Sequence, residues 1–271
     1  MQDSNSKNVL LYRSRIMKKR YVVVACSVLY RELALCAAKS KSIIELVFQR
    51  QSLHNEGKEI MPLELQKVLD SIDQTKYDAI LLGYGLCSYG IRGLYADIPI
   101  VVPRAHDCIT LIMGSKEAYR DYFDSNSGTS YTSSGWLERI ERPGTADSNQ
   151  LGTDGMGSSN IRTATYAEYV EEYGEEAAEY LMKALGGGSL KHYNKLAFIN
   201  TGAGDIEADR ETSIRNATRN GWEFEEIEGS TNLLQRMLDG DWDDGDFLVL
   251  QPGFSIEPSY EDGIIKPFPT T

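Results

Sequence analysis

No apolar run in this chain approaches the ~20 residues that a membrane-spanning helix needs. Histidine is scarce, at 3 of 271 residues, and there are only 4 cysteines, so each one counts in any reading of chemistry. Basic residues are in deficit too: 28 Lys and Arg against 40 Asp and Glu leave a net charge of −12. That charge repels a nucleic-acid backbone and an anionic membrane surface, so neither is expected as a partner. A secretory leader is not expected either, and the first apolar stretch reads as a core strand. The apolar stretch Tyr21–Tyr30 follows Lys18-Lys19-Arg20, but Ser27 interrupts it, Arg31 and Glu32 follow at once, and no small-residue cleavage site is present. Four cysteines in a chain of this length, without a leader, point to reduced thiols in a cytoplasm rather than a disulfide scaffold.

What is present is a rhythm of short apolar strands and helical segments. Tyr21–Leu29 and Ser42–Phe48 read as strands, with a helix over Arg31–Lys39 between them. Pro62–Gln74 has Leu63, Leu65, Val68, Leu69 and Ile72 near helical spacing, with Pro62 suited to a first turn. Ala79–Leu82 and Ile98–Val102 are further strands. The same order returns late: strands at Leu196–Asn200, Trp222–Ile227 and Phe247–Leu250, and helices at Ile206–Arg219 and Thr231–Leu238. This predicts an α/β fold of mostly parallel sheet with flanking helices, in two similar βαβαβ halves around a cleft. The expected boundaries are a disordered extension over 1–16, a first half over 17–123, an insert over 124–190, and a second half over 191–271. The insert holds a Gly/Ser-rich loop at Asp147–Asn160, an acidic helix at Tyr166–Leu185, and Trp136 as its main apolar anchor.

Three cysteines fall just past strand-like runs: Cys26 after YVVVA, Cys87 after AILLGYGL, and Cys108 after IPIVVPRAHD. In an open α/β sheet the carboxyl ends of parallel strands line the ligand crevice, so these thiols are predicted to meet at one edge. His106 and Cys108 lie two apart, on one side of an extended segment. Converging Cys and His side chains have the composition of a transition-metal site or of a thiolate nucleophile. The candidate metal ligands are therefore Cys26, Cys87, Cys108 and His106, with His54 as a further histidine at a strand end. Zinc is the expected metal, and an iron–sulfur cluster the second choice.

Other residues carry weaker signals. Glu32, His54 and His106 are candidate acids or bases, although a first-turn carboxylate at a helix start is the commoner meaning of a Glu at Glu32's position. Gly83 and Gly85, in Gly83-Tyr84-Gly85-Leu86-Cys87-Ser88-Tyr89-Gly90, permit close backbone approach after a strand. Thr201 and Gly202, in Thr201-Gly202-Ala203-Gly204-Asp205, open a helix and can bind an anion or form an ordinary turn. Both pairs are candidate cofactor contacts. Cys36, inside a helical pattern, reads as a core residue, and His192, before a strand, as a surface residue.

Ala25-Cys26, Arg31-Glu32, Leu53-His54-Asn55, Gly83–Cys87, Pro103–Cys108, Gly135-Trp136 and Leu250–Gly253 together resemble the domain of unknown function 1638 family, from about Tyr21 to Gly253. The Gly/Ser-rich segment near 147–160 departs from that pattern. The resemblance implies an origin in anaerobic bacteria or methanogens, near corrinoid-dependent methyltransferase systems. It thus implies a role in one-carbon transfer, with a corrinoid methyltransferase component among the candidate partners and a corrinoid among the candidate ligands of the cleft. The function expected is a zinc-binding Cys/His site acting in such chemistry. The alternatives are a cofactor-binding accessory module and a metal-free cysteine-nucleophile enzyme.

Overall fold

The computed structural model describes residues 18–87, 89–126, 128–140, 193–259 and 263–270. The extension over 1–16, the Gly/Ser-rich loop, the acidic helix and His192 lie outside them. The apolar runs fold as strands of one five-stranded sheet: β1 (Arg20–Cys26), β2 (Ile43–Gln49), β3 (Ala79–Gly83), β4 (Ile100–Pro103) and β8 (Phe247–Leu250), in the order β2-β1-β3-β4-β8. β1, β3 and β4 are buried along nearly their whole length, which is why they read as unbroken apolar runs rather than as alternating ones. The pairs β1–β2, β1–β3 and β3–β4 are parallel. The chain leaves β1 toward β2, then crosses back to β3, so the strand order reverses between β1 and β3. That switch point is where such sheets open a crevice beyond the strand ends.

A second sheet is wholly parallel: β5 (Thr129–Thr132), β6 (Lys195–Asn200) and β7 (Glu223–Glu228), in that order. An antiparallel ribbon of β9 (Phe254–Pro258) and β10 (Ile265–Pro269) completes the strands described. The α/β class and the mostly parallel pairing are those that the alternating pattern predicts.

Helices follow the expected positions with instructive shifts. The strand expected over Tyr21–Leu29 stops at Cys26, and Ser27–Leu29 forms a tight 3-10 turn into α1 (Tyr30–Lys39). α2 (Gly57–Ser71) starts five residues before Pro62, which sits inside it. Its buried positions Met61, Leu65 and Leu69 are four apart and form one apolar stripe. α3 (Cys108–Met113) begins at Asp107, whose carboxylate accepts from the Thr110 amide at 3.1 Å, and α4 (Lys116–Ser125) is capped by Ser115.

The halves are not closed units. The start of the segment expected as an insert instead forms β5, an edge strand of the second sheet, and α5 (Ser134–Ile140) after it. After α6 (Ile206–Asn220) and β7 the chain crosses to the first sheet. α7 (Asn232–Asp239) buries Leu233, Leu234, Met237 and Leu238 and packs on α1, β3 and β4. Ser40 fastens it by donating to the Leu238 carbonyl at 2.9 Å. β8 then pairs antiparallel with β4, with Val249 opposite Val101. An apolar strand carries no mark of its direction. The exposed edge of β4 and the fully apolar face of α7 make this crossing the burial that is favoured.

Candidate functional site

Beyond β3 and β4 the chain keeps two segments side by side. The Leu86 amide donates to Ala105 O at 2.8 Å and the Cys87 amide to His106 O at 2.9 Å, so strand-like pairing continues past both strand ends. Gly85 makes this approach possible. A Cβ there would lie 2.6 Å from the Asp107 nitrogen and 2.9 Å from Ala105 O, closer than real side chains come. Cys87 itself has φ +48°, a left-handed conformation rare for a residue with a side chain. Its carbonyl accepts from Gly90 at 3.1 Å, so hydrogen bonds on both sides hold the strained turn.

This brings the three predicted thiols into one electrostatic neighbourhood. Cys26 and Cys87 are buried, and Cys108 is partly buried at the start of α3. Burial pushes the Cys87 thiol up; the negative Asp107 and a charged Cys26 would push it further, against backbone hydrogen bonds from Gly85 and Cys108. Cys108 is raised for the same first reason, with Cys87 and Cys26 next. The Tyr84 phenol, buried and without a hydrogen-bond partner, is raised by burial and then by all three cysteines. Burial and their own mutual repulsion therefore both favour the neutral forms of these groups. Among the described residues, no group of three or more His, Cys, Asp or Glu side chains is arranged to hold a metal ion. Cys36 stands apart: it is buried in α1, and burial lifts its thiol to about 11.

Asp107 links this cluster to the histidines. One oxygen caps α3, and the other accepts from the Tyr119 hydroxyl at 3.2 Å. His54, half-buried in the turn after β2, is held below the ordinary imidazole value by burial, while Asp107 pulls it upward. His106 keeps an exposed edge, yet the protein atoms around it lower its value too, again against Asp107.

Glu32 lies in a second part of the crevice. It is fully buried in the first turn of α1, and the Thr201 hydroxyl donates to Oε1 at 2.9 Å. Burial raises its carboxyl from 4.5 to about 7, chiefly opposed by a backbone hydrogen bond and Thr201. The neighbouring Arg31 offsets this burial least, since that guanidinium forms a two-pronged pair with Glu138 on α5. Thus the carboxylate that a first-turn position made look ordinary is a buried group joined to the loop after β6.

The glycine candidates have reasons inside the protein. Gly83 lets β1 and β3 pack, since a Cβ there would fall 2.5 Å from the Ala25 Cβ. Gly202 turns the chain at φ +73° with open space beside it. Tyr84, hidden between the glycines of its own turn, carries no signal of its own in the sequence; Tyr131, in a segment whose sequence suggests either a wall over the cleft or an aromatic anchor, lies on β5, buried with an unpartnered hydroxyl. Aromatic residues at strand ends were the available cue. An open hollow of about 620 Å³ also borders Asn200–Gly202 and Glu226–Gly229. Arg210 and Asn200 already engage Glu226 there, so its wall offers little unspent chemistry.

A family model described as "Protein of unknown function (DUF1638)" matches residues 48–238, a span that contains Cys87, His106, Cys108 and Thr201 but begins after Cys26 and Glu32. No curated protein matches the chain. Among solved structures, an ornithine carbamoyltransferase from Pyrococcus furiosus is similar at 12% identity with a TM-score of 0.21, covering 82% of this chain and 60% of that one. So low a score carries no argument. No described helix is long and apolar enough to cross a membrane.

Proposed function

The chain belongs to the DUF1638 family, and we propose that in it Cys26, Cys87 and Cys108 bind a transition metal, zinc in the first place, with His106 or His54 as the further donor. The observation that supports this reading is that Cys26 at the end of β1 and Cys87 and Cys108 beyond the ends of β3 and β4 lie near enough for the charge of one to raise the others. Soft sulfur donors suit zinc or an iron–sulfur cluster, and a divalent cation removes the penalty that now keeps neighbouring thiols protonated. The donor chemistry fits the metal, and binding has to order the ligands, because no ready-made group of three is present among the described residues.

Held by the three thiolates alone, with His106 or His54 beside it as an acid or base, zinc would supply Lewis acidity and an open fourth position for a substrate thiol to be methylated; with a histidine as fourth ligand that position would be closed. The protein's own groups do the rest. Asp107 fixes the start of α3 and so the place of Cys108, and its charge favours protonation of His54 and His106. Glu32, with a carboxyl raised to about 7, can hold or release a proton at neutral pH. The raised Cys87 and Cys108 thiols weigh against a metal-free cysteine nucleophile, which needs a lowered value.

Anaerobic titration of the full chain with Co(II) tests the proposal. Thiolate-to-cobalt charge-transfer absorbance should saturate at one equivalent, fall in Cys26→Ser, Cys87→Ser and Cys108→Ser, and persist in Cys36→Ser. Absence of the band, or its survival in all four variants, overturns the reading. A tetrapyrrole spectrum in the purified protein would instead assign the crevice to a corrinoid.

A further inference from the structure

We propose that the junction between the two sheets holds a subsite for a small cationic group, an ammonium or amidinium carried by an organic ligand that also bears a hydrogen-bond acceptor, with Glu32 Oε2 as its anchor. Three segments meet at this junction. The turn Ser27–Leu29 and the first turn of α1 come from the end of β1, α5 follows β5, and Thr201 follows β6. Gly135 lets α5 press against the first of these: a Cβ there would lie 2.1 Å from Val28 O and 3.5 Å from Glu32 Oε2.

The hydrogen-bonding of this junction is incomplete from the protein side. Thr201 serves Glu32 Oε1 at 2.9 Å, while Oε2 is buried and has no protein donor. Buried carboxylate oxygens are nearly always supplied with donors, since leaving one bare is costly. Ser27 Oγ and Trp136 Nε1, on the two segments that Gly135 brings together, are likewise buried and unpartnered. Trp136 can only donate, so it calls for an acceptor on the ligand, whereas Oε2, once the carboxyl is ionised, calls for a donor.

The charges select a cation. From α1, α5 and the start of α6, the groups that act here are Glu32, Arg31, Glu138, Asp205 and Asp209. Arg31 is spent on Glu138, and the Arg139 guanidinium lies over the Tyr30 ring, 4.9 Å from its centroid. Asp209 faces Ser134 and is itself raised by burial. A cationic donor supplies the missing hydrogen bond and offsets the excess of carboxylates in one step. No thiol takes part, so the subsite stands or falls separately from the metal proposal.

The test uses full-length protein with ¹³C-labelled glutamate side chains. It is titrated with glycinamide hydrochloride, with acetamide as the uncharged analogue and sodium chloride at matched ionic strength. The Glu32 carboxyl resonance is assigned by its loss in Glu32→Gln. Glycinamide should shift it saturably and lower its titration midpoint by at least one pH unit, while acetamide and salt should do neither. Thr201→Val, which keeps the carboxylate and removes its donor, should bind glycinamide at least as tightly and provides the assignment should Glu32→Gln not fold. An unmoved midpoint, an equal response to acetamide, or loss of the response in Thr201→Val overturns the proposal.

Discussion

Gly85 lies so near Asp107 that a methyl group on it would come within 2.8 Å of the Asp107 Cα. The contact is backbone against backbone, with no flexible side chain to give way, and it sets both the strained turn at Cys87 and the cap that starts α3. Gly85→Ala should therefore destabilise the protein by about 1–3 kcal/mol, the usual range for overpacking. It should also weaken metal binding more than an equally destabilising substitution remote from the crevice. Denaturant unfolding and metal affinity, measured on the same variant, check both parts.

The burial of Glu32 predicts a pH dependence, which its hydrogen bond from Thr201 opposes without cancelling. The folded carboxyl is raised from 4.5 to about 7, so the folded state holds its proton more tightly than the unfolded chain does. The stability this contributes is complete below about pH 4.5 and is lost as pH climbs through about 7. At pH 8 the wild type should thus have given up roughly 3 kcal/mol relative to Glu32→Gln, compared with acid pH. Denaturant midpoints of the two proteins from pH 4 to pH 8 give the difference curve. A flat difference would mean that the carboxyl titrates normally.

Thiol chemistry offers a third check. Cys36 is lifted to about 11 and Cys87 and Cys108 are also raised, all by burial first. Since the thiolate is the reacting form, iodoacetamide at pH 7.5 should modify these three at least tenfold more slowly in native, metal-free protein than in denaturant. Mass spectrometry of quenched digests reads each site separately. Rapid native alkylation of Cys108 alone would revive the cysteine-nucleophile alternative.

The crossing of the chain from the second sheet to the first is testable through packing. Met237 is fully buried on α7, against the elements of the first sheet. Met237→Ala should cost about 2–5 kcal/mol, as core truncations do. Loss of hydrogen-exchange protection should appear in β3 and β4 as well as in α7. Protection lost only in β6 and β7 would show that α7 belongs with the second sheet instead.

The parts of this architecture that were legible in the sequence are those with a local cause. β1, β3 and β6 announce themselves as apolar runs because both faces of each strand are covered. Asp107 and Asp205 each stand just before the first helical residue, the local position from which a carboxylate caps a helix, and both caps form. The start of α2 was missed because Gly57–Ile60 is exposed and carries no apolar period. Direction and partnership were beyond reach. Nothing in Phe-Leu-Val-Leu marks β8 as antiparallel, and nothing near Glu32 reveals a hydroxyl 169 positions away. That Cys26, Cys87 and Cys108 lie near enough to feel one another's charge was inferable only because strand ends of a parallel sheet share an edge.

Metal content of anaerobically purified full-length protein tests the central claim most directly. With elemental analysis by mass spectrometry, the account predicts close to one zinc per chain in the wild type and in Cys36→Ser, and less than a tenth of that in Cys26→Ser, Cys87→Ser and Cys108→Ser, each confirmed as folded by circular dichroism. Wild-type protein free of zinc and iron even after growth and refolding with both, or folded cysteine variants that retain a full complement, would contradict it.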